Sequence, residues 1–336
     1  MSWVNAGLAD RRPVSNGARR KGRIVAGSPF THPPGGRPPA RGVRRWERPS
    51  ARSVSMARTF DRRLAARIVC DIRLSCVGDA NMDNPLSVEA SLFDLPLDAV
   101  HVWYLFTDRV TDPQVLERYA NMMSTEERVR RDRFIFPKDR YQFLVTRGLL
   151  RTLLSRYARI RPEECVFVMN RYGKPSLHYW GSATAGLEFN VSHTNGLVAI
   201  AITSGREVGI DVEELARAHS DLDVRRFFST AEVRALEALP PTEQRSRFFD
   251  YWTLKEAYIK ARGMGLSLPL DRFSMHLHRN RRPTIEFAPP IDDDTSTWQF
   301  VQFEPSPRYR MALAIRRRGT DLTVRIKEFD VKDETA

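Results

Sequence analysis

The chain is organised around residues 252–263, which read Trp252-Thr253-Leu254-Lys255-Glu256-Ala257-Tyr258-Ile259-Lys260-Ala261-Arg262-Gly263. Good helix formers, basic residues near the end and then a glycine predict the last turns of a helix that Gly263 caps. Trp252, Glu256 and Lys260 are spaced four apart, so the pattern places them on one helix face and Lys255 on another. The simpler interpretation of that face is a solvated Glu–Lys pair above a core tryptophan.

Two carboxylates upstream strengthen a functional interpretation. The run Val-Gly-Ile-Asp-Val-Glu at 208–213 predicts a strand, and side chains two apart on a strand leave the same face, so Asp211 and Glu213 lie together. With Glu256 they form the hard oxygen ligand set that Mg²⁺ prefers, completed by water and substrate phosphate. A polar strand face is the alternative. It is weaker here because the carboxylates follow apolar residues, and a buried carboxylate needs a partner such as a metal.

The charge of the chain is concentrated at its start. The formal net charge is +13, but residues 1–81 hold 17 basic and 5 acidic residues, so the remainder is nearly neutral. We expect residues 1–81 to be a disordered basic leader, because such a composition cannot bury enough apolar surface to offset chain entropy. A transit peptide has this composition, and a translation start placed upstream of the true one explains it equally well.

Cysteine content and hydropathy indicate the compartment. Cys70, Cys76 and Cys165 form neither a disulfide framework nor a zinc spacing, which favours a reducing compartment. No run approaches the roughly 18 apolar residues that a membrane span needs. We therefore expect a cytoplasmic protein without a membrane partner.

The order of elements predicts an α+β fold. Ala99–Phe106 reads as a buried strand, a Ser-x-x-Glu capping box at 124–127 begins a helix, and Pro137 begins the next. A second capping box at 229–232 and a helix beginning at Pro241 repeat this rhythm. The other segments are short strands joined by turns, namely 165–169, 187–191, 197–203, 207–213, 273–278, 284–287, 298–303, 309–315 and 322–329. Such mixing predicts antiparallel sheets, in an N-terminal half at 97–205 and a C-terminal half at 206–330.

Two further stretches offer contacts for phosphate. Residues 189–194, Phe-Asn-Val-Ser-His-Thr, are predicted to end a strand and enter a turn, where Ser192 and His193 could meet a phosphate. A core-edge histidine with a satisfied hydrogen bond is the other interpretation. Tyr-Gly-Lys-Pro at 172–175 presents Lys174 as a point charge for phosphate or as a solvated turn residue, and lacks the P-loop spacing.

Six motifs in register resemble the surfactin-type 4′-phosphopantetheinyl transferases over roughly residues 100–329. They are Tyr-Gly-Lys-Pro at 172–175, Phe-Asn-Val-Ser-His at 189–193, Val-Gly-Ile-Asp-Val-Glu at 208–213, Arg-Phe-Phe-Ser at 226–229, Trp-Thr-Leu-Lys-Glu-Ala at 252–257 with Lys260, and Gly-Leu-Ser-Leu-Pro-Leu at 265–270. The resemblance implies a monomer of two pseudo-symmetric α+β halves, each a small antiparallel sheet packed with helices, with coenzyme A in the cleft between them.

The resemblance also implies roles for individual residues. Mg²⁺ would be held against the pyrophosphate of coenzyme A by Asp211, Glu213 and Glu256. Trp252 would support the helix, and Lys260 would meet the pyrophosphate. The nucleotide and its 3′-phosphate would be contacted by Lys174, Ser192, His193 and Arg130. One departure is Glu127, which stands where the family has a second basic residue near the 3′-phosphate; Arg128 and Arg131 are the two candidates to replace it.

The implied reaction agrees with the side chains present. A serine of an apo acyl or peptidyl carrier protein attacks the phosphorus attached to pantetheine and releases adenosine 3′,5′-bisphosphate. Such a transfer needs charge neutralisation and a base; we assign Glu256 as the base and Lys260 to the leaving phosphate. Two alternatives are a nucleic-acid-binding protein that uses the basic leader and a metal-dependent phosphodiesterase; our prediction includes no nucleic-acid partner. By family analogy the carrier protein would contact apolar residues around Leu215, Leu222, Phe227 and Phe228. The two phenylalanines are equally well interpreted as residues of the hydrophobic core.

Overall fold

The computed structural model describes residues 93–178, 186–216 and 227–334 of the 336-residue chain. The leader predicted at 1–81 lies outside these ranges. The α-helices within them are α1 (Pro113–Met122), α2 (Thr125–Asp132), α3 (Pro137–Ala158), α4 (Thr230–Glu237) and α5 (Pro241–Arg262). None of the helices in this part of the chain combines the length and apolar content needed to cross a membrane.

The strands form two larger sheets and two hairpins. They are β1 (Ala99–Phe106), β2 (Val166–Met169), β3 (Pro175–His178), β4 (Leu187–Thr194), β5 (Leu197–Ser204), β6 (Val208–Glu214), β7 (Phe273–His276), β8 (Thr284–Phe287), β9 (Trp298–Phe303), β10 (Tyr309–Arg316) and β11 (Thr323–Glu328). The first sheet has the order β11-β1-β5-β4 and the second has the order β6-β10-β9. All pairs are antiparallel except β1 with β11, which is parallel. β2 pairs with β3, and β7 with β8.

The larger sheets pack face to face between two long helices. Alternation along the strands sends Val100, Val102, Ala199, Ile210, Val212 and Leu313 into one buried cluster between the sheets. Helix α3 covers the outer face of the first sheet with Leu149, Leu150, Leu153 and Leu154. Helix α5 covers the outer face of the second with Leu254, Ala257, Tyr258 and Ala261. This layering of helix, sheet, sheet and helix confirms the predicted α+β class.

The two halves repeat one local arrangement. In each, an eight-residue helix with a Ser-x-x-Glu capping box precedes a 22-residue helix that begins with proline. Both predicted capping boxes are present, at Ser124 with Glu127 and at Ser229 with Glu232. The last strand, β11, returns to pair with β1 of the first sheet. The division of the chain at residue 205 stays a prediction.

Three elements differ from the sequence-based expectation. Helix α1 and strand β3 were not predicted. Strand β4 runs to Thr194 rather than ending near Val191, because it pairs with β5 through Thr194 and Leu197 across a two-residue turn. Ser192 and His193 are therefore strand residues and not turn residues.

Candidate functional site

The site is built where strand β6 lies directly against helix α5. Gly209 of β6 makes this approach possible, because a Cβ atom there would stand 2.0 Å from the carbonyl oxygen of Ala257 and 2.3 Å from the amide nitrogen of Ala261. Real Cβ atoms do not come within 3.0 Å of such atoms. The missing side chain thus brings the next residues of the strand beside Glu256 and Lys260.

Asp211 and Lys260 form the buried centre of the site. Lys260 Nζ lies 2.6 Å from Asp211 Oδ1 and donates a second hydrogen bond to Ser192 Oγ at 2.8 Å. The Ser192 hydroxyl in turn donates to Asp211 Oδ1 at 2.9 Å. The other carboxylate oxygen, Asp211 Oδ2, is buried and has no hydrogen-bond partner among the described residues.

Glu213 is held by the helix tryptophan. It leaves β6 on the same face as Asp211, and its Oε1 accepts a hydrogen bond of 3.3 Å from Trp252 Nε1. The Trp252 ring is stacked on Phe248, with centroids 6.1 Å apart, and meets the edge of Phe227 at 5.7 Å. The predicted side-by-side placement of Asp211 and Glu213 towards the helix is therefore present.

Glu256 completes the acidic group. It is buried, and its Oε2 has no hydrogen-bond partner in the ranges that the structure describes. Burial raises its pKa above the ordinary glutamate range, and the negative charges of Asp211 and Glu213 raise it further, against the opposing effect of Lys260. Within the described ranges, no three His, Cys, Asp or Glu side chains form a ready-made metal site.

Three side chains of β4 join the two sheets at the site. The backbone N–H groups of Ile210, Val212 and Glu214 point away from β10, and they donate to Asn190 Oδ1 at 2.9 Å, Ser192 Oγ at 3.2 Å and Thr194 Oγ1 at 3.3 Å. These bonds satisfy the donors along the edge of β6. They also place Ser192 beside Asp211.

His193 and Lys174 lie apart from this centre. His193 follows Ser192 on β4, so the two side chains leave opposite faces of the strand. Burial lowers the pKa of His193 and favours its neutral form. Lys174 Nζ donates to the backbone oxygens of Val208 at 3.1 Å and Ala261 at 2.9 Å, which ties the start of β6 to the end of α5. Phosphate contacts by these residues stay predictions.

The structure explains why an acid stands at position 127. Glu127 is buried as the third residue of α2, where its carboxylate accepts from the Ser124 backbone N–H and pairs with the buried guanidinium groups of Arg147 and Arg151. Arg130 is exposed on the same helix, with its guanidinium carbon 5.8 Å from the centre of the Phe143 ring. A basic side chain at 127 would face two buried positive charges.

Lys255 points to the opposite side of α5, as its spacing predicts. It is fully buried, with Nζ 2.7 Å from Glu232 Oε2, and it donates to the backbone oxygens of Leu270 and Phe273 at 2.9 and 2.5 Å. Sequence reasoning missed Glu232 as its partner; the only signal was the capping box that contains this glutamate.

The apolar residues predicted to contact a carrier protein differ in how deeply they are buried. Phe228 is buried in the core beside α5, which supports its core interpretation. Phe227 is partly buried against Trp252. Leu222, with Arg226 of the fourth motif, lies outside the described residues.

Comparisons with known proteins agree with these motifs. A family model described as the 4′-phosphopantetheinyl transferase superfamily matches residues 207–314, and one described as 4′-phosphopantetheinyl transferase, N-terminal, matches residues 111–205. The 4′-phosphopantetheinyl transferase HetI of Nostoc sp. is 34% identical over 226 residues, which cover 66% of this chain and 90% of HetI. The 4′-phosphopantetheinyl transferase Sfp of Bacillus subtilis is 32% identical over 212 residues, which cover 63% of this chain and 90% of Sfp. A solved holo-[acyl-carrier-protein] synthase from Thermotoga maritima is 23% identical over 33% of this chain and 63% of that chain, with a TM-score of 0.28, too low to add an argument about the fold.

Proposed function

This chain belongs to the 4′-phosphopantetheinyl transferase family of the Sfp type, and on that premise we propose that Asp211, Glu213 and Glu256 hold its Mg²⁺ ion. The enzyme transfers the 4′-phosphopantetheine arm of coenzyme A to a serine of an apo carrier protein. The proposal concerns which side chains of this chain perform the transfer.

The observation that carries the metal assignment is the pair of bare carboxylate oxygens, Asp211 Oδ2 and Glu256 Oε2. A buried carboxylate oxygen without a hydrogen-bond donor is costly, and a bound cation offsets that cost. Mg²⁺ is usually held by one or two carboxylates, with waters and substrate phosphate completing its octahedron. The donor set therefore fits the ion although no complete three-ligand group stands ready. When bound, Mg²⁺ would neutralise the charge of the pyrophosphate.

Glu256 is placed to take the proton of the carrier serine. Its Oε2 has no hydrogen-bond donor among the described residues, so this oxygen can accept a proton from an approaching hydroxyl. The serine oxygen forms a bond to the phosphorus attached to pantetheine, the bond from that phosphorus to the bridging oxygen breaks, and the serine proton passes to Glu256. Adenosine 3′,5′-bisphosphate leaves with the bridging oxygen.

Lys260 is the cation for the leaving group. Its ammonium is held between Asp211 Oδ1 and Ser192 Oγ, so its direction is fixed before substrate binds, which favours electrostatic stabilisation of developing charge. On the nucleotide side we assign Lys174, Ser192 and His193 from their motif positions, and Arg130 because it aligns with a basic residue of the family near the 3′-phosphate. We further propose that the enzyme acts as a monomer, as the family resemblance implies, and in the cytoplasm, because its three cysteines form no disulfide framework.

The test is the conversion of an apo carrier protein to its holo form, measured by the mass of one phosphopantetheine arm. Glu256→Gln keeps the shape of the side chain and removes its basicity, so we expect a loss of about 10²-fold or more in kcat. Glu163→Gln, an exposed residue on the turn before β2, is the matched control and should match the wild type. Chelation should abolish activity, and Mg²⁺ should restore it.

Two results would overturn these assignments. Transfer by Glu256→Gln at the wild-type rate would remove Glu256 as base and ligand. Release of adenosine 3′,5′-bisphosphate at the full rate without a carrier protein would indicate a phosphodiesterase.

A further inference from the structure

We infer that the indole N–H of Trp252 is a donor that orients Glu213 for metal binding, so that Trp252 is a positioning residue of the site and more than part of its packing. This inference rests on the metal assignment proposed above. It gives the tryptophan of the Trp-Thr-Leu-Lys-Glu-Ala motif a hydrogen-bonding task.

The geometry of the contact supports that task. Trp252 Nε1 lies 3.3 Å from Glu213 Oε1, and both residues are buried. An indole has a single N–H and can only donate, so this bond uses its whole polar capacity. A fixed donor on one oxygen of a carboxylate restricts the positions that its second oxygen can take.

The surroundings of Trp252 hold the donor in place. The ring is stacked on Phe248 and is met edge-on by Phe227, so it cannot turn its N–H away from the strand without disturbing both contacts. Trp252 also lies on α5 one turn before Glu256. One helix therefore supplies a carboxylate of the site and also orients a carboxylate of the strand.

Asp211 has a parallel arrangement on its other side. The Ser192 hydroxyl donates to Asp211 Oδ1 and accepts from Lys260 and from the Val212 N–H, which uses its proton and both lone pairs. Asp211 and Glu213 are thus each oriented by a donor from a different element. Partners that orient metal ligands in this way typically change metal affinity by 10- to 100-fold when they are removed.

The experiment compares two tryptophans that differ in one respect. Trp252 and Trp298 are 8% and 4% exposed, and both donate Nε1 to a buried carboxylate, Glu213 at 3.3 Å and Asp293 at 3.0 Å. Only Glu213 is assigned to the metal. Binding of Mn²⁺ is measured by electron paramagnetic resonance on protein saturated with coenzyme A, for the wild type, Trp252→Phe and Trp298→Phe.

We expect Trp252→Phe to raise the dissociation constant of Mn²⁺ by about tenfold or more, and Trp298→Phe to leave it within about twofold of the wild type. At saturating Mg²⁺ the KM for coenzyme A of Trp252→Phe should match the wild type. In a Glu213→Gln background, Trp252→Phe should cause no further loss of Mn²⁺ affinity. If Trp252→Phe does not fold, Trp252→Leu, which also lacks a hydrogen-bond donor, is used with the same expectation.

The possible outcomes distinguish a failure of the positioning role of Trp252 from a failure of the metal assignment. Wild-type protein that binds no Mn²⁺ would overturn the metal assignment itself. Wild-type binding with an unchanged dissociation constant in Trp252→Phe, or equal losses in the two tryptophan variants, would overturn the positioning role and leave the metal assignment standing.

Discussion

Replacing Gly209 with alanine should separate strand β6 from helix α5 and disable the site. The added methyl group would stand 2.0 Å from the Ala257 oxygen and 2.3 Å from the Ala261 nitrogen. Both are backbone atoms of a helix, so neither can rotate aside. Reaching even the 3.0 Å that real Cβ atoms respect therefore requires a movement of at least about 1 Å between strand and helix.

A shift of that size has consequences for stability and for catalysis. Overpacking of this kind costs about 1–3 kcal/mol, which for a domain of this size lowers Tm by about 5 °C. The 2.6 Å contact between Lys260 and Asp211 would lengthen towards the limit of a hydrogen bond. A misplacement of about 1 Å costs about 100-fold in rate, so we expect kcat/KM for carrier modification to fall by about that factor.

The assay is carrier modification followed by mass spectrometry, at a temperature well below the Tm of each variant. Gly148→Ala is the matched control, since its Cβ would also stand 2.0 Å from a neighbour, the ring of Tyr119 in the α1–α3 packing. It should lose stability while kcat/KM of the folded protein stays within a few-fold of the wild type. A folded Gly209→Ala protein with wild-type kcat/KM would refute the idea that this contact builds the site.

Two further predictions concern buried titratable groups away from the acidic site. Lys255→Met leaves the Glu232 carboxylate, 1% exposed, without its cation, so it should cost about 3–5 kcal/mol of unfolding free energy in urea titrations; adding Glu232→Gln should recover part of this, and a double variant less stable than the single one would contradict the pairing. His101 has a pKa held at about 4 by burial and by Arg325. As pH falls from about 6.5 to 4, His101 binds a proton in the unfolded chain but stays neutral in the folded protein. His101 should therefore lower the free energy of unfolding by up to about 3 kcal/mol over that range. His101→Asn should show a correspondingly flatter decline between pH 7 and 4, and an unchanged decline would count against it.

Local rules explain which elements could be predicted from the sequence. Capping boxes, a proline at a helix start and a glycine at a helix end each act within a few residues, and the structure contains them at Ser124, Pro137, Ser229, Pro241 and Gly263. The helical period likewise predicted that Glu256 and Lys260 lie on one face of the helix and Lys255 on another. The strand period predicted that Asp211 and Glu213 lie together.

What the sequence did not predict depends on distant partners. The parallel pairing of β11 with β1 joins segments more than 200 residues apart, and no local pattern specifies it. Strand β4 is extended by its pairing with β5 and by contact with the edge of β6, where Ser192 Oγ accepts the Val212 N–H. Helix α1 did carry a local signal, because Asp112 before Pro113 accepts the Gln114 N–H at 2.8 Å.

The two halves use the same buried charge pair, and this comparison assigns a role to Lys255. Glu127 and Glu232 are both the third residue of a short capped helix, while Arg151 and Lys255 are both the fifteenth residue of the following 22-residue helix. Each cation pairs with its glutamate and also donates to two backbone oxygens just beyond its helix, Pro162 and Cys165 in one half and Leu270 and Phe273 in the other.

The position after the cation is where the halves diverge. It holds Thr152 in the first half and Glu256 in the second, so the paired charges occur in a half that lacks the acidic site as well as in the half that has it. Because the buried cation–glutamate pair also occurs in the half without the acidic site, we attribute it to the stability of the fold. The three N–H donors of Lys255 are all used within the protein, so none is left to contact a substrate. Lys255 therefore fixes the helix that presents Glu256. We expect the transfer itself to depend on the residues that the first half does not have.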